Sequence, residues 1–284
     1  MVVSTRNLAG SPTRRMRRGG AAVRSVLAVL TARIAAVAAV LTGWQLLYLS
    51  GWRPSFVLPS PGAVAANLWM QLHDPTTWAA IGTTMGRALA GFGLALLVGT
   101  VVGAALARNT FLRSVIGPVV TGLQTMPAIA WFPFAIIFFG LDTSAILFVI
   151  VIGAAPSVAM GVMAGADQIP PLLLRAAKTM GLRRFALYRH VILPGSLPTF
   201  VGGLRQGWAF AWRSLMAGEL VVLVAGTASI GVLLDNAQNL SDMPSAISIM
   251  IVILLIGIVV DTAFDALDRW IRRRWGLLVT SERD

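Results

Sequence analysis

The chain has 284 residues, 57% of them hydrophobic and only 12% charged, with a formal net charge of +12. Soluble domains carry about 25% charged residues, so this composition cannot cover a water-exposed globule of the same length. Cysteine is absent, which excludes disulfides, thiolate metal sites and cysteine nucleophiles. The positive charges fall in short clusters between long apolar runs, a membrane-topology pattern that does not call for a nucleic-acid partner.

Residues 1–25 include Arg14, Arg15, Arg17, Arg18 and Arg24 and read as a basic, disordered cytoplasmic tail. The apolar run at 26–49 is longer than the ~7–15 residues of a signal-peptide core and has no clear cleavage site before Trp52, so it reads as a retained first membrane helix. Further runs long enough to cross a bilayer, about 20 apolar residues each, lie at 78–107, 115–139, 143–164, 200–224 and 245–267. The fold class expected is an all-α integral membrane protein with about six transmembrane helices. Residues 26–268 form its membrane domain, and 269–284 a basic cytoplasmic tail.

Cytoplasmic loops retain Lys and Arg. With the N-terminus inside, the inner segments hold the basic tail, then Arg108 and Arg113, then Arg175, Lys178, Arg183, Arg184 and Arg189, and finally Arg269, Arg272, Arg273 and Arg274. The outer loops hold only Arg53, together with Asp74, Asp142, Asp235 and Asp242. Both termini are therefore expected in the cytoplasm, and the protein in the cell membrane. In the first outer loop Ser60 or Pro61 can open a short helix. Its apolar Val64, Leu68 and Leu72 suit the membrane surface or an external partner.

Within the spans, Pro127 and Pro133 interrupt the third helix near Gln124, Thr125 and Trp131. Such breaks line cavities or are buried in protein. Arg87, Arg205, Arg213, Glu219 and Asp261 are charges at membrane depth, where each costs on the order of 2.5–3.5 kcal/mol and faces protein or a cavity. Arg213 and Glu219 are separated by about 600° of helical turn, so they project roughly 120° apart and do not pair on one helix. Two roles stay open for these residues: pairing with neighbouring helices, or lining a pathway that attracts an anion. The candidate pathway and substrate residues are Arg87, Gln124, Trp131, Arg205, Arg213 and Glu219. Gly82, Gly86, Gly91, Gly93, Gly99 and Gly103 on the second span read as packing contacts.

The loop at about 167–196 opens a short helix with Pro170 and Pro171 and can end it at Gly181; a second basic helix then runs to Pro194. Leu172, Leu173, Ala176, Ala177 and Met180 cluster at helical spacings, Arg175 and Lys178 project elsewhere, and the alanine pair leaves room for close approach. Such a helix outside the membrane suits a groove on another protein; charge alone would suit an ordinary basic loop. The spacing of Ala176-Ala177, Gly181 and Val191-Ile192-Leu193-Pro194 resembles the EAA loop of binding-protein-dependent ABC importer permeases. LPSPGAV, TTMGRALAGF, GLQTMPAIAWFPFAIIFFG and LRQGWAFAWRSLMAGEL resemble the sulfonate, taurine, nitrate and bicarbonate branch of that family.

The resemblance implies a type I importer architecture with cytoplasmic coupling helices. Its ATPase-docking residues would be Arg175, Ala176, Ala177, Lys178, Gly181, Leu182 and Pro194. Arg175 stands where the family has Glu, reversing the charge that faces the partner. The single lysine, Lys178, follows Ala177 and not glycine, so the chain has no P-loop. ATP and Mg would therefore be held by two partner ATPase subunits, with no cofactor on this chain. A second copy of the permease and an extracytoplasmic solute-binding protein complete the implied assembly. The solute would be a small anion such as a sulfonate, taurine or nitrate, or a non-anionic molecule such as a thiamine precursor. An ATP-independent secondary transporter would leave the loop unexplained. His73 and His190 lie far apart and the usual hydrolase motifs are missing, so neither a metal site nor an enzyme is expected.

Overall fold

The computed structural model describes residues 12–182 and 184–274, all of whose regular elements are helical, in two compact units, residues 1–65 and 66–284. In the first unit α1 (Pro12–Leu49) is one helix, of which Thr31–Leu49 is apolar enough to cross a membrane. The tail expected to be disordered over 1–25 is thus helical from Pro12; residues 1–11 lie outside the described residues. Beyond α1, Gly51 turns the chain at φ 67. Trp44 Nε1 donates to the Pro59 carbonyl at 3.0 Å and holds this strap to the helix end. Ser60 Oγ accepts the Ala63 N–H at 3.1 Å and opens α2 (Pro61–His73), with Pro61 where no N–H is needed. The boundary between the units falls inside α2.

The second unit continues with α3 (Pro75–Arg108), α4 (Thr110–Thr125), a 3₁₀ turn (Ala128–Trp131), α5 (Phe132–Phe139), α6 (Thr143–Asp167) and α7 (Pro171–Thr179). It closes with α8 (Arg184–Leu187), a π turn (Tyr188–Ile192), α9 (Leu193–Val221), α10 (Ile230–Asn239) and α11 (Met243–Arg274). Asp74 and Asp142 cap α3 and α6. The Thr76 hydroxyl and N–H hold the Asp74 carboxyl below the usual carboxylate range. The backbone N–H groups of Ser144 and Thr143 do the same for Asp142. The basic segment expected as a tail from 269 remains helical through Arg274; residues 275–284 lie outside the described residues.

Four helical segments are long and apolar enough to span: Thr31–Leu49, Pro75–Arg108, Thr143–Asp167 and Met243–Arg274. The pair Thr110–Thr125 and Ala128–Phe139, bent by 105°, makes a fifth if taken as one span. The interruption expected in the third span lies at Met126–Pro127, whereas Pro133 sits in the first turn of α5. α9 has the length to cross, although Arg205, Gln206, Arg213 and Glu219 dilute its apolarity. It starts earlier and stops sooner than the 200–224 run suggests, leaving 222–229 non-helical.

Side-chain neighbours fix the helix directions. Along α3 and α6, Gly91 meets Ile150, Gly99 meets Ala155 and Val158, and Gly103 meets Ala159 and Val162, so these helices run parallel. α4 runs against α6, pairing Arg113 with Asp167 and Gln124 with Ser157. The bent pair therefore returns the chain to the end from which α6 can descend beside α3. α9 runs against α6, with Gly218 near Ile146, Gly207 near Val158 and Gly203 against Gly161. α11 runs against α9, with Arg205 on Asp265 and Trp212 beside Gly257. One end of this unit thus gathers Arg108, Asp167 and Arg269 to Arg274; the other gathers Asp74, Asp142 and the start of α11.

The α6–α9 seam is the tightest. A Cβ placed on Gly203 would lie 2.6 Å from Gly161 Cα, and one on Gly161 would lie 2.7 Å from Gly203 Cα. No side chain separates the two backbones there, the small-residue packing that membrane helices use in place of a hydrophobic drive. On α3, Gly91, Gly99 and Gly103 take the packing role expected of them, whereas Gly82, Gly86 and Gly93 meet nothing within 4 Å. Gly203→Leu should lower stability by about 1–3 kcal/mol through overpacking, seen as earlier thermal unfolding in detergent. Gly202→Leu, at a position with nothing within 4 Å, should unfold like the parent.

Candidate functional site

At the end of the second unit that carries Asp74 and Asp142, four segments converge on one buried carboxylate. Glu219, near the end of α9, is 0% exposed and Arg87 of α3 only 7%. Arg87 Nη1 donates to Glu219 Oε1 at 3.0 Å. Thr84, one turn earlier on α3, donates its hydroxyl to the same carboxylate at 2.9 Å from Oε2 and 3.1 Å from Oε1, and accepts the Ile230 N–H at 2.9 Å. The Gly231 N–H donates to Oε2 at 3.1 Å. Arg87 Nη2 donates to Thr227 Oγ1 at 3.0 Å, and Thr227 donates in turn to the Val224 carbonyl at 3.0 Å.

The first N–H groups of α10 have no partner within their own helix. Here Thr84 and Glu219 accept them, which places a negative charge where a helix N-terminus favours one. Gly231 is required by contact: a Cβ there would lie 2.2 Å from Glu219 Cβ. Arg87 and Glu219 therefore hold α3, the end of α9, the 222–229 segment and the start of α10 together. Sequence reasoning picked out both charges but missed Thr84, Thr227 and Gly231. Thr84 lies three residues before Arg87, on the same helical face, and that spacing was the available signal.

The other intramembrane candidates are placed differently. Arg205 Nε and Nη2 each lie 2.6 Å from an Asp261 oxygen, and Nη1 lies 2.5 Å from Asp265 Oδ1, so this cation is committed to α11. Gln124 Nε2 donates to Ser157 Oγ at 2.9 Å. Trp131, in the 3₁₀ turn after the break, is half-buried against the main core, its ring 6.2 Å from that of Phe134. Arg213 does not pair with Glu219, as the helical angle requires. It is exposed, its Nε donates to the Ala209 carbonyl at 3.0 Å, and its guanidinium lies 4.8 Å from the Phe210 ring centre. Among the described residues no carboxylate pairs with it. It shares an open face of α9 with Gly202 and Gln206.

At the opposite end, α7 is closed by a complete Schellman motif. Gly181 lies at φ 87, its N–H donates to the Lys178 carbonyl, and the Leu182 N–H donates to the Ala177 carbonyl, both at 3.0 Å. Leu172, Leu173 and Met180 are exposed at 77%, 50% and 81%, and Ala176, Arg175 and Lys178 are exposed beside them. Ala177 is buried, so only one member of the alanine pair faces outward. The second basic helix expected to end at Pro194 is instead a four-residue turn and a π turn that run without interruption into α9. Pro194 is the second residue of α9, directly after the π turn, and does not end the helical run.

Residues 95–275 match the family model described as "Binding-protein-dependent transport system inner membrane component". The taurine transport system permease protein TauC of Escherichia coli (strain K12) is 29% identical over 246 residues, covering 84% of this chain and 88% of that one. The riboflavin transport system permease protein RibX of Chloroflexus aurantiacus is 33% identical over 203 residues, covering 71% and 74%. Among solved structures, the inward-facing MetNI methionine ABC transporter superposes with a TM-score of 0.59 at 20% identity, covering 70% of this chain and 98% of its own.

Removing one member of a buried ion pair strands the other and costs about 3–5 kcal/mol. Glu219→Ala and Arg87→Ala should each lower the thermal midpoint of the purified protein markedly, and Gly231→Ala should do the same through contact alone. Arg205→Gln, which breaks a half-exposed pair, should shift it far less, since such pairs contribute roughly 0–1 kcal/mol.

Proposed function

Since the chain belongs to the family of binding-protein-dependent transport system inner membrane components, we propose that it is one transmembrane half of an ATP-driven importer for a small anion, working as a homodimer with two ATPase subunits and an external binding protein. The observation that carries this reading is α7. Leu172, Leu173, Ala176 and Met180 expose an apolar strip on a short, rigidly capped helix at the basic end of the unit. Water is a poor solvent for that strip, and a groove on a second protein suits it.

The basic end belongs in the cytoplasm by the positive-inside rule. It holds Arg108, Arg113, Arg175, Lys178 and the Arg269 to Arg274 cluster, and the opposite end holds Asp74, Asp142, Asp235 and Asp242. This puts α7 where an ATPase resides and the C-terminus inside; the basic start of the chain puts the N-terminus there too. ATP and Mg then belong to the ATPase, whose closure would press on Arg175, Ala176, Lys178 and their neighbours. Arg175, in place of the family's Glu, calls for an acidic residue on that partner. A transporter working without ATP would leave the exposed strip of α7 without a use.

Arg213 supports an anionic solute. It is a cation on the open face of α9 with no carboxylate against it among the described residues. Gln124 and Trp131, beside the break at Pro127, belong to the same proposed path. Taurine, a sulfonate or nitrate fits this arrangement, in keeping with the taurine permease among the relatives. The riboflavin permease relative favours a second reading, in which the same scaffold carries a larger, non-anionic solute.

With the assembled complex in proteoliposomes, Gly181→Val should keep membrane insertion but lose solute-stimulated ATP hydrolysis, because a β-branched residue is strained at positive φ. Normal stimulation would refute docking through α7. Arg213→Ala should lower taurine uptake at least about tenfold, the equivalent of one 1.4 kcal/mol contact, with assembly unchanged; full uptake by the variant would refute the anion path.

A further inference from the structure

The helix α7 makes its main contacts with α8 and the π turn and few with the membrane helices. A cleft of about 320 Å³ is lined by Leu174 of α7 and by Ala104, Ala107 and Arg108 of α3. Packing alone therefore transmits little of any movement of α7 to the helices that cross the membrane. Just ahead of α7, however, the chain is held at two consecutive side chains. Asp167, the last residue of α6, takes a two-pronged grip from Arg113 in the first turn of α4, with Nη1–Oδ1 at 2.9 Å and Nη2–Oδ2 at 2.6 Å. Gln168 Oε1 accepts the Thr199 hydroxyl of α9.

We infer that Arg113, Asp167, Gln168 and Thr199 form the joint through which a push on α7 is shared among α4, α6 and α9, and that Arg113 and Asp167 are positioning residues for coupling. This inference rests on the docking reading of α7 and adds the route by which force leaves it. The joint reaches both parts of the proposed path. α4 leads to Gln124 and the break at Pro127, and α9 carries Arg213. Apart from the Arg113–Asp167 grip, the start of α4 is held by the Asn109 cap that joins it to α3 and by the packing of Leu112. Both partners are about half exposed, 43% and 46%, and an ion pair so placed adds little to stability. Its planar, two-pronged geometry instead fixes direction.

The absence of native cysteine permits a direct test in the full-length chain co-purified with its ATPase. Spin labels at Leu97→Cys on α3 and Val119→Cys on α4, both exposed, report the displacement of α4 when a non-hydrolysable ATP analogue with Mg is added. The unsubstituted joint should show a nucleotide-dependent shift in label distance. Arg113→Gln and Asp167→Asn should abolish it while the ATPase still co-purifies and basal hydrolysis stays within about twofold, and the exchange Arg113→Asp with Asp167→Arg should restore it. A parent that shifts, with both single variants shifting equally, overturns the joint alone. Loss of co-purification in the single variants, not recovered by the exchange, also overturns it, since that is a fold defect. A parent that ignores nucleotide or fails to bind an ATPase overturns the docking reading, and the joint with it.

Discussion

A charged carboxylate shut away from water must be matched on every side, and around Glu219 this condition dictates the local architecture. Arg87 neutralises it, Thr84 and the Gly231 N–H occupy its remaining lone pairs, and Arg87 passes its spare donor to Thr227. Arg87 and Thr84 come from α3, Thr227 from the 222–229 segment and Gly231 from α10, so the carboxylate on α9 can be satisfied only when all four stretches are in place. A buried pair of this kind is weak evidence for net stability and stronger evidence for a demand on geometry. It specifies how the chain leaves the top of α9 and where α10 begins.

The rest of the second unit is arranged around α9. Along α6 it is pressed backbone to backbone at Gly161 and Gly203, and along α11 it is stapled by Arg205 to Asp261 and Asp265. Those contacts consume most of its surface and leave one open strip, with Gln206 and Arg213 on it. The charges that sequence inspection groups together thus separate by environment. Arg87 and Glu219 satisfy each other, Arg205 binds a neighbouring helix, and Arg213 faces outward. Among the described residues, Arg213 is the member of that group without a carboxylate, which is why the solute reading rests on it.

Some of this is legible along the chain and some is not. Local features carry over well: Gly181 ends α7, Ser60 and Pro61 open α2, and the run around Pro127 breaks the third span, because a cap or a break depends on neighbouring residues only. Pro194 misleads because the π turn ahead of it continues directly into α9, so this proline does not mark a stop. The partners of Glu219 are invisible because Arg87 lies 132 residues away in sequence, and nothing in a linear pattern says which two buried charges meet. The 105° bend between α4 and α5 is likewise a tertiary outcome, set by where α6 must start in order to run beside α3.

The uninterrupted passage from the π turn into α9 has a further consequence. Because Tyr188–Ile192 is wound directly onto the helix that follows, the angular phase of α9 is inherited from the loop. One residue inserted or deleted between Arg184 and Leu193 would rotate every later side chain by about 100° unless the wide turn absorbed it. Glu219 would swing off Arg87, and Arg213 would turn into the core. The length of this segment is therefore tied to the buried carboxylate at the far end of α9, and a π turn is the kind of element that can take up one residue without breaking that phase.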